Sequence, residues 1–596
     1  MNIRSILVVV LLYLLIPFSA HATSSSTSIS ATYSVQSTDE KQTKVVYSID
    51  IEEPGGAHST SEYSLHMPTS FPVASIQAMV DTERVEPVIS SQQNYISVSI
   101  PLPDSDKKTH RLIELSFLQG NVVHQNGKQT EVLIPTLLTK TNETIRYQLS
   151  IPSDLKNSLL SSRPMFSQRD GVNMFWTGTR GKTIQIMFGA SKLFYHATLQ
   201  YDLQNESGLS RTMDITLPPE TPYQLLHNVS FSEKPREITI DPDGNPIARY
   251  VVAPHGKKSV KFQVTLELRV LPDSERLMYD RLLFQSSRAH LLRPYIGEEG
   301  RTPPLKDSRT VYEYTVASLS YDYSQLNTPS LRTAHKTVSQ ILNTPTKSIC
   351  LDYSSLFVSL ARKNGIEARE VYGYSIQKDE QLRPTNGDEL HSWAQFFDTD
   401  TQQWVNIDPT WDDTSSLDYY NFHDFNHVVL AYRGADSNKP YPAGFFRFNN
   451  SSDTSLISIV PVAGAETDRS TLSIDRSAMR TSYNASEPTN TTVSVMNVGT
   501  TVRYNVPVSV TSRHAVVHLE KRTIPILYPL QQATLTLSVT GNDKLVGADV
   551  LVITAGDHSE QIPITVLPRS YLKTIILAVS VLTVMTVLWI VGKRRK

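Results

Sequence analysis

From residue 30 to residue 271 the chain alternates apolar and polar side chains with a period of two. The clearest run is Val260-Lys261-Phe262-Gln263-Val264-Thr265-Leu266-Glu267-Leu268-Arg269-Val270, where every even position is apolar. Side chains of an extended strand point alternately to opposite faces, so such a run buries one face only as a β-strand. Similar runs occur at 44–51, 95–100, 131–134, 183–188 and 194–203. Turn-forming groups separate them, among them Pro54-Gly55-Gly56, Asn126-Gly127 and Asp243-Gly244. About 240 residues of this kind exceed one sandwich. Two N-terminal all-β sandwich domains are expected within 23–271, joined near 152–170.

The pattern changes after Leu271. Pro272-Asp273-Ser274 reads as a helix start, and Met278, Leu282 and Leu283 continue an apolar spacing of three to four. Residues 330–342 repeat the helical signal, and Pro345 stops it. Cys350 then opens the strongest helical pattern, with Leu356, Phe357, Leu360 and Ala361 on one face and Gly365 placed as a C-cap. Three strands are expected next, at 367–375, 391–397 and 403–407. A central α+β domain is therefore expected over 272–455. From 467 to 567 short strands return, divided by Asn497-Val498-Gly499, Gly541-Asn542 and Gly556-Asp557. Their spacing fits an immunoglobulin-like β-sandwich without its disulfide.

Both ends carry membrane signals. Arg4, an apolar run over 6–18 and Ala20-His21-Ala22 read as a signal peptide, residues 1–22. Residues 574–592 are almost wholly apolar, and Lys593-Arg594-Arg595-Lys596 form a basic tail. The expectation is a single-pass protein of the cell membrane: one C-terminal transmembrane helix, the N-terminal ectodomain outside and a short cytoplasmic C-terminus. With 56 basic against 58 acidic residues, the charge balance gives no case for a nucleic-acid partner.

Cys350 is the one cysteine among 596 residues, so no intramolecular disulfide can form. An unpaired thiol in an exported chain needs burial or a job. Its expected place is the N-terminus of a helix, where free N–H groups and the helix dipole stabilise a thiolate. His391 is expected to start one strand and Asp408 to end the next. Neighbouring strands can bring imidazole and carboxylate together, with the helix end holding sulfur against the ring. Taken singly, each has a plainer reading. A histidine is more often a satisfied core or surface residue, and Asp408 before Pro409 can simply begin a turn. Trp393, Trp404 and Trp411, three of the chain's five tryptophans, read as packing.

The residues Cys350-Leu351-Asp352, Leu356-Phe357-Val358, Arg362-x-x-Gly365-Ile366-x-Ala368-Arg369 and Gly373-Tyr374 resemble the transglutaminase-like superfamily. His391-Ser392-Trp393 and Trp404-Val405-Asn406-Ile407-Asp408-Pro409-Thr410 continue the resemblance in order, over about 275–435. It implies a papain-like fold and a thiol acyl-enzyme mechanism without a cofactor. In that scheme Cys350 attacks a carboxamide or peptide carbonyl, His391 moves the proton and Asp408 orients the imidazole. The family holds crosslinking transglutaminases, peptide hydrolases and deglycosylating amidases, so the fold does not fix the reaction.

Three positions depart from the family pattern. Ser348 stands where a glycine is common, and Gln395 where a glutamate is. No tryptophan lies between 177 and 392, although crosslinking members use an upstream tryptophan at the oxyanion. Tyr321, Tyr323 or the backbone N–H of Cys350 is left for that role, and hydrolysis gains ground over crosslinking. His423-Asp424 with His427 has the i, i+4 spacing of a metal pair but no third ligand in view, so no metal site is assigned. Two functions follow. One is a thiol enzyme acting on protein or peptide amides, as peptidase, deamidase or transglutaminase. The other is a surface adhesion or scaffold protein whose central domain is inert.

Overall fold

The computed structural model describes residues 26–594 apart from 53–60, 93–94, 104–109, 127, 138–142, 179–182, 298–302, 328–334, 377–389, 416, 447, 449–455 and 570–571. The chain is mostly β, with 51% of residues in strands and 16% in helices. It divides into two compact units, one of residues 1–190 with 416–418, the other of 191–415 with 419–596.

In the first unit, period-two sequence becomes period-two burial. Gln42–Glu52 buries alternate residues throughout, with Val45, Tyr47, Ile49 and Ile51 inward. This strand sits inside an eight-stranded sheet, flanked by Ser26–Ser34 and His110–Gly120. Sheets of four and three strands complete the unit. One apolar cluster runs from Ile29 to Phe188, and the unit ends at Ala190, past the 152–170 stretch where the sequence suggests a junction. The buried Tyr33 and Tyr47 satisfy each other's hydroxyls at 2.9 Å.

The second unit begins with a four-stranded and a three-stranded sheet. Lys257–Arg269 is central in the larger sheet, between Gln224–Phe231 and Lys192–Gln204. The outer edge of Lys192–Gln204 is filled by Ile457–Val462, which pairs Leu199 with Ile457 and Phe194 with Val462. The chain thus leaves this sheet at Arg269, builds the α+β domain, and returns to the same sheet. That returning strand was not expected from the sequence.

Within the α+β domain, Asp273 caps the helix Ser274–Leu291 by accepting from Glu275 N and Arg276 N, both at 3.1 Å. The helix Val338–Asn343 is opened by a reciprocal Thr337/Gln340 capping box. Cys350–Lys363 is a helix whose Leu356, Phe357, Leu360 and Ala361 are buried, and Gly365 ends it at φ +77°. It packs on an antiparallel sheet ordered Gln403–Ile407, Leu390–Asp398, Ala368–Ser375, His427–Arg433. The expected strands lie within one residue of these bounds. The fourth, His427–Arg433, was not foreseen.

That fourth strand is an edge, and exposed edges invite wrong pairing. Here two amides of the preceding β sheets close it. Gln224 accepts from Val429 N at 2.9 Å and donates to Val429 O at 3.0 Å. Asn245 does the same for Tyr432, at 2.7 and 2.9 Å. One apolar cluster joins Leu226 and Leu266 of the β sheets to Val428 and Leu430 of the edge strand. Replacing Gln224 by Ala strands both groups of Val429 without a partner in a buried place. The expected cost is about 2–4 kcal/mol, read as a fall in melting temperature with no change in secondary structure.

The unit continues into a sandwich of a four-stranded and a five-stranded sheet within Leu472–Leu567, built on its own core. The immunoglobulin-like label rests on strand spacing; what the structure gives is a two-sheet sandwich.

One expectation is overturned. No helix among the described residues is long and apolar enough to cross a membrane. The helix Leu572–Arg594 covers the expected 574–592 span. The transmembrane part of the expected fold, and with it the single-pass cell-membrane placement, is not supported. The expected signal peptide, 1–22, lies outside the described residues.

Candidate active site

Cys350 is the first residue of its helix, as expected, and is partly exposed. Asp352 fixes this helix start by accepting from Ile349 N at 3.0 Å, and Lys336 balances its charge at 2.8 Å. His391 lies on the neighbouring sheet, directly across from Gly373. That position must be glycine: an added Cβ would stand 2.2 Å from the Trp393 ring and 2.3 Å from Val428 O. Trp393 and Trp411 both stack on the His391 ring, at 5.9 and 5.3 Å between centroids. Two of the three tryptophans read as packing therefore hold the imidazole in place. Trp404 instead lies under Arg369.

His391 Nε2 donates to Asp408 Oδ2 at 2.7 Å, and the Cys350 side chain is among the groups that act on its charge. With Nε2 taken by the carboxylate, Nδ1 is the nitrogen left for the thiol. Asp408 also caps the short helix Pro409–Ser415, Oδ1 accepting from Thr410 N at 3.0 Å and Trp411 N at 3.1 Å. The turn-starting reading and the imidazole-partner reading of Asp408 both describe it, one for each oxygen.

Burial works against both charges, yet the pair keeps them. Desolvation alone would lower His391; the Asp408 carboxylate outweighs it, helped by the hydrogen bond to Asp408 and by Cys350, and pushes the imidazole up to about 10. Burial would likewise raise Asp408, but the charge and hydrogen bond of His391, then those of His427, hold it well below the usual carboxylate range. At neutral pH the pair is an imidazolium and a carboxylate. Such an imidazolium can partner a thiolate and later protonate a leaving group.

A residue of this site was misjudged from the sequence. His427, set aside with His423 as a weak metal pair, donates from Nε2 to Asp408 Oδ2 at 3.1 Å. His423 does not join it and stacks on Tyr223 at 3.9 Å. Among the described residues, His391, Asp408 and His427 place donor atoms within 4.8 Å of one another, close enough for an ion. Each of these atoms is already engaged in the hydrogen-bonded chain, with the second nitrogen of His427 held by Asp424 at 2.9 Å. The donor set therefore fits proton chemistry better than ligation.

The helix and the His391 strand share an anchor the sequence did not reveal. Glu370, fully buried, accepts from Ser354 at 3.0 Å, Ser355 at 2.5 Å and Tyr295 at 2.8 Å. Ser354 also bonds Ser392, the residue beside His391, at 2.8 Å. Sulfur and imidazole are thus registered by a buried polar network. The departing residues have places as well. Ser348 bonds Pro345 O at 3.0 Å and bridges to Tyr321, which packs on Ile349 and Leu351. Gln395 accepts from Arg369 and donates to Asn406, so it braces the sheet away from the sulfur.

Residues 296–409 match the transglutaminase-like superfamily. This part of the chain is a transglutaminase-like domain. The match spans Cys350 and His391 and extends past Asp408 by one residue. It supports a papain-like thiol enzyme in general terms. A comparison with curated proteins returned no match. Among solved structures the chain is similar to a candidate cysteine protease of Cytophaga hutchinsonii, at 14% identity over 46% of this chain and 97% of that one, with a TM-score of 0.24. It is also similar to a candidate protease of Parabacteroides distasonis, at 8% identity over 87% and 93%, TM-score 0.21. Leukotriene A4 hydrolase of Saccharomyces cerevisiae follows at 12% identity over 28% and 29%, TM-score 0.18. Superpositions this weak carry no argument, and the transglutaminase-like domain stands on its own sequence match and geometry.

Proposed function

We propose that the chain is a thiol enzyme acting on protein or peptide amides, with Cys350 as nucleophile, His391 as general base and acid, and Asp408 as the group that orients and balances the imidazole. The observation that carries this reading is the buried His391–Asp408 hydrogen bond, with Cys350 at a helix N-terminus acting on the same imidazole. In the first half-reaction sulfur adds to the amide carbonyl. The tetrahedral oxyanion sits by the Cys350 N–H, and His391 gives its Nδ1 proton to the departing nitrogen. Water or a primary amine then attacks the thioester, with His391 taking the proton.

Mass spectrometry of a peptide library incubated with the protein, with and without a primary amine, tests this. Cleaved peptides identify a peptidase, a one-dalton gain a deamidase, and amine incorporation a transglutaminase. Unchanged peptides throughout, with folded protein, count against the reading.

A further inference from the structure

His427 is buried among aromatic rings, with its side chain 4% exposed, yet both of its nitrogens face carboxylates. Nε2 meets Asp408 Oδ2 at 3.1 Å, and Nδ1 meets Asp424 at 3.0 and 2.9 Å. Asp424 is itself held: its Oδ1 accepts from Asn426 N at 2.9 Å and His427 N at 3.1 Å. An ionised carboxylate only accepts, so an imidazole bonded to one at each nitrogen carries a proton on both. Asp408 is already donated to by Thr410 N, Trp411 N and His391. The bond from His427 closes the last direction in which that carboxylate could turn.

We propose that His427 is a doubly protonated positioning residue that, clamped by Asp424, locks Asp408 against His391. This rests on the thiol-enzyme reading for its consequence, but the protonation of His427 does not. The clamp is braced from outside the domain, because Gln224 holds Val429, two residues along the same strand. The charged and titratable groups facing the ring are Asp408, Asp424, His391 at 5.7 Å between centroids, and Tyr419 at 6.0 Å. Asp280 and His423 lie across a cavity of about 40 Å³ that His427 and Asp424 help to line. Asp280 is paired with Arg276 at 2.7 Å, leaving the two clamping carboxylates to set the charge of His427. Burial opposes the imidazolium, and the charges and hydrogen bonds of Asp424 and Asp408 outweigh it, raising His427 above the ordinary histidine range.

The test uses the full chain labelled with 15N-histidine, in a His227→Gln/His391→Gln background, because the His227 ring also meets a carboxylate at each nitrogen, Asp468 at 2.6 Å and Glu267 at 3.2 Å. At pH 8.5 an ordinary histidine is neutral. One ring should still show two protonated nitrogens, and that signal should vanish when His427→Gln is added to this background and weaken when Asp424→Asn is added. Every histidine appearing neutral at that pH overturns the proposal. The positioning role is read separately from alkylation of Cys350, the one thiol. His427→Phe fills the same space and should slow alkylation at least about 10-fold, while His427→Gln, which keeps a donor for Asp408, should recover part of the rate. Equal rates in wild type and the Phe variant contradict a positioning role. Should His427→Phe fail to fold, Asp424→Asn gives the same comparison. A wild-type thiol no faster than a free one defeats the thiol-enzyme reading while leaving the 15N result to stand or fall alone.

Discussion

A folded Cys350→Ala variant should lose amide turnover by at least about 10⁴-fold. Removing a covalent nucleophile leaves only binding and oxyanion contacts, and no second cysteine exists to replace it. The substitution deletes one sulfur at a partly exposed position, so stability should change little. The assay is turnover of whichever peptide the mass-spectrometric screen returns, with melting temperature as the control for folding. Wild-type turnover in this variant would place the chemistry elsewhere in the chain.

The second large effect is expected at Asp408. Asp408→Asn keeps an oxygen for Thr410 N and Trp411 N but presents either a poorer acceptor or an amide donor to His391 and His427. Two buried imidazoliums lose the carboxylate they share. Loss of one partner from a buried pair costs about 3–5 kcal/mol, and loss of the orienting acid in such a triad costs roughly 10³–10⁴ in turnover. The same pair sets a pH dependence. The folded carboxyl of Asp408 titrates below its unfolded value, so its contribution is complete above about pH 4 and fades as the pH falls further. His391 is pushed up to about 10, so its contribution is complete below about pH 6.5 and fades as the pH rises toward 10. Chemical denaturation across pH should therefore show this pair's contribution, read as the stability difference between wild type and Asp408→Asn, highest between about pH 4 and 6.5. In Asp408→Asn the alkaline fall should flatten, because burial without the carboxylate leaves His391 neutral. An unchanged alkaline slope would mean that the ion pair is not what holds His391 charged.

Much of the site was legible because its parts lie on local elements with strong periodicity. The Cys350 helix shows its apolar face at three and four, its glycine cap and its thiol at the first turn. The strands bearing His391 and ending at Asp408 are bounded by turns that the sequence displays. What could not be read depends on contacts between distant residues. Gln224 meets Val429 from 205 positions away, and Glu370 binds serines on a helix and a tyrosine 75 positions back. No local pattern marks either one. The strand Ile457–Val462 is short, and its pairing with Lys192–Gln204 is visible only in three dimensions. His427 was misjudged for a related reason. Spacing of i, i+4 suits two ligands on a helix, but residues 427–433 form a strand and His423 points to Tyr223 instead. The apolar C-terminus was read by hydropathy alone, and no helix among the described residues is long and apolar enough to cross a membrane.

The most direct measurement of the central claim is the alkylation rate of Cys350 by iodoacetamide at pH 7, in the wild-type chain and in His391→Ala. A thiol paired with an imidazolium should react at least about 10-fold faster than a free thiol, and the advantage should disappear in His391→Ala. Equal rates for wild type, variant and free thiol would contradict the account.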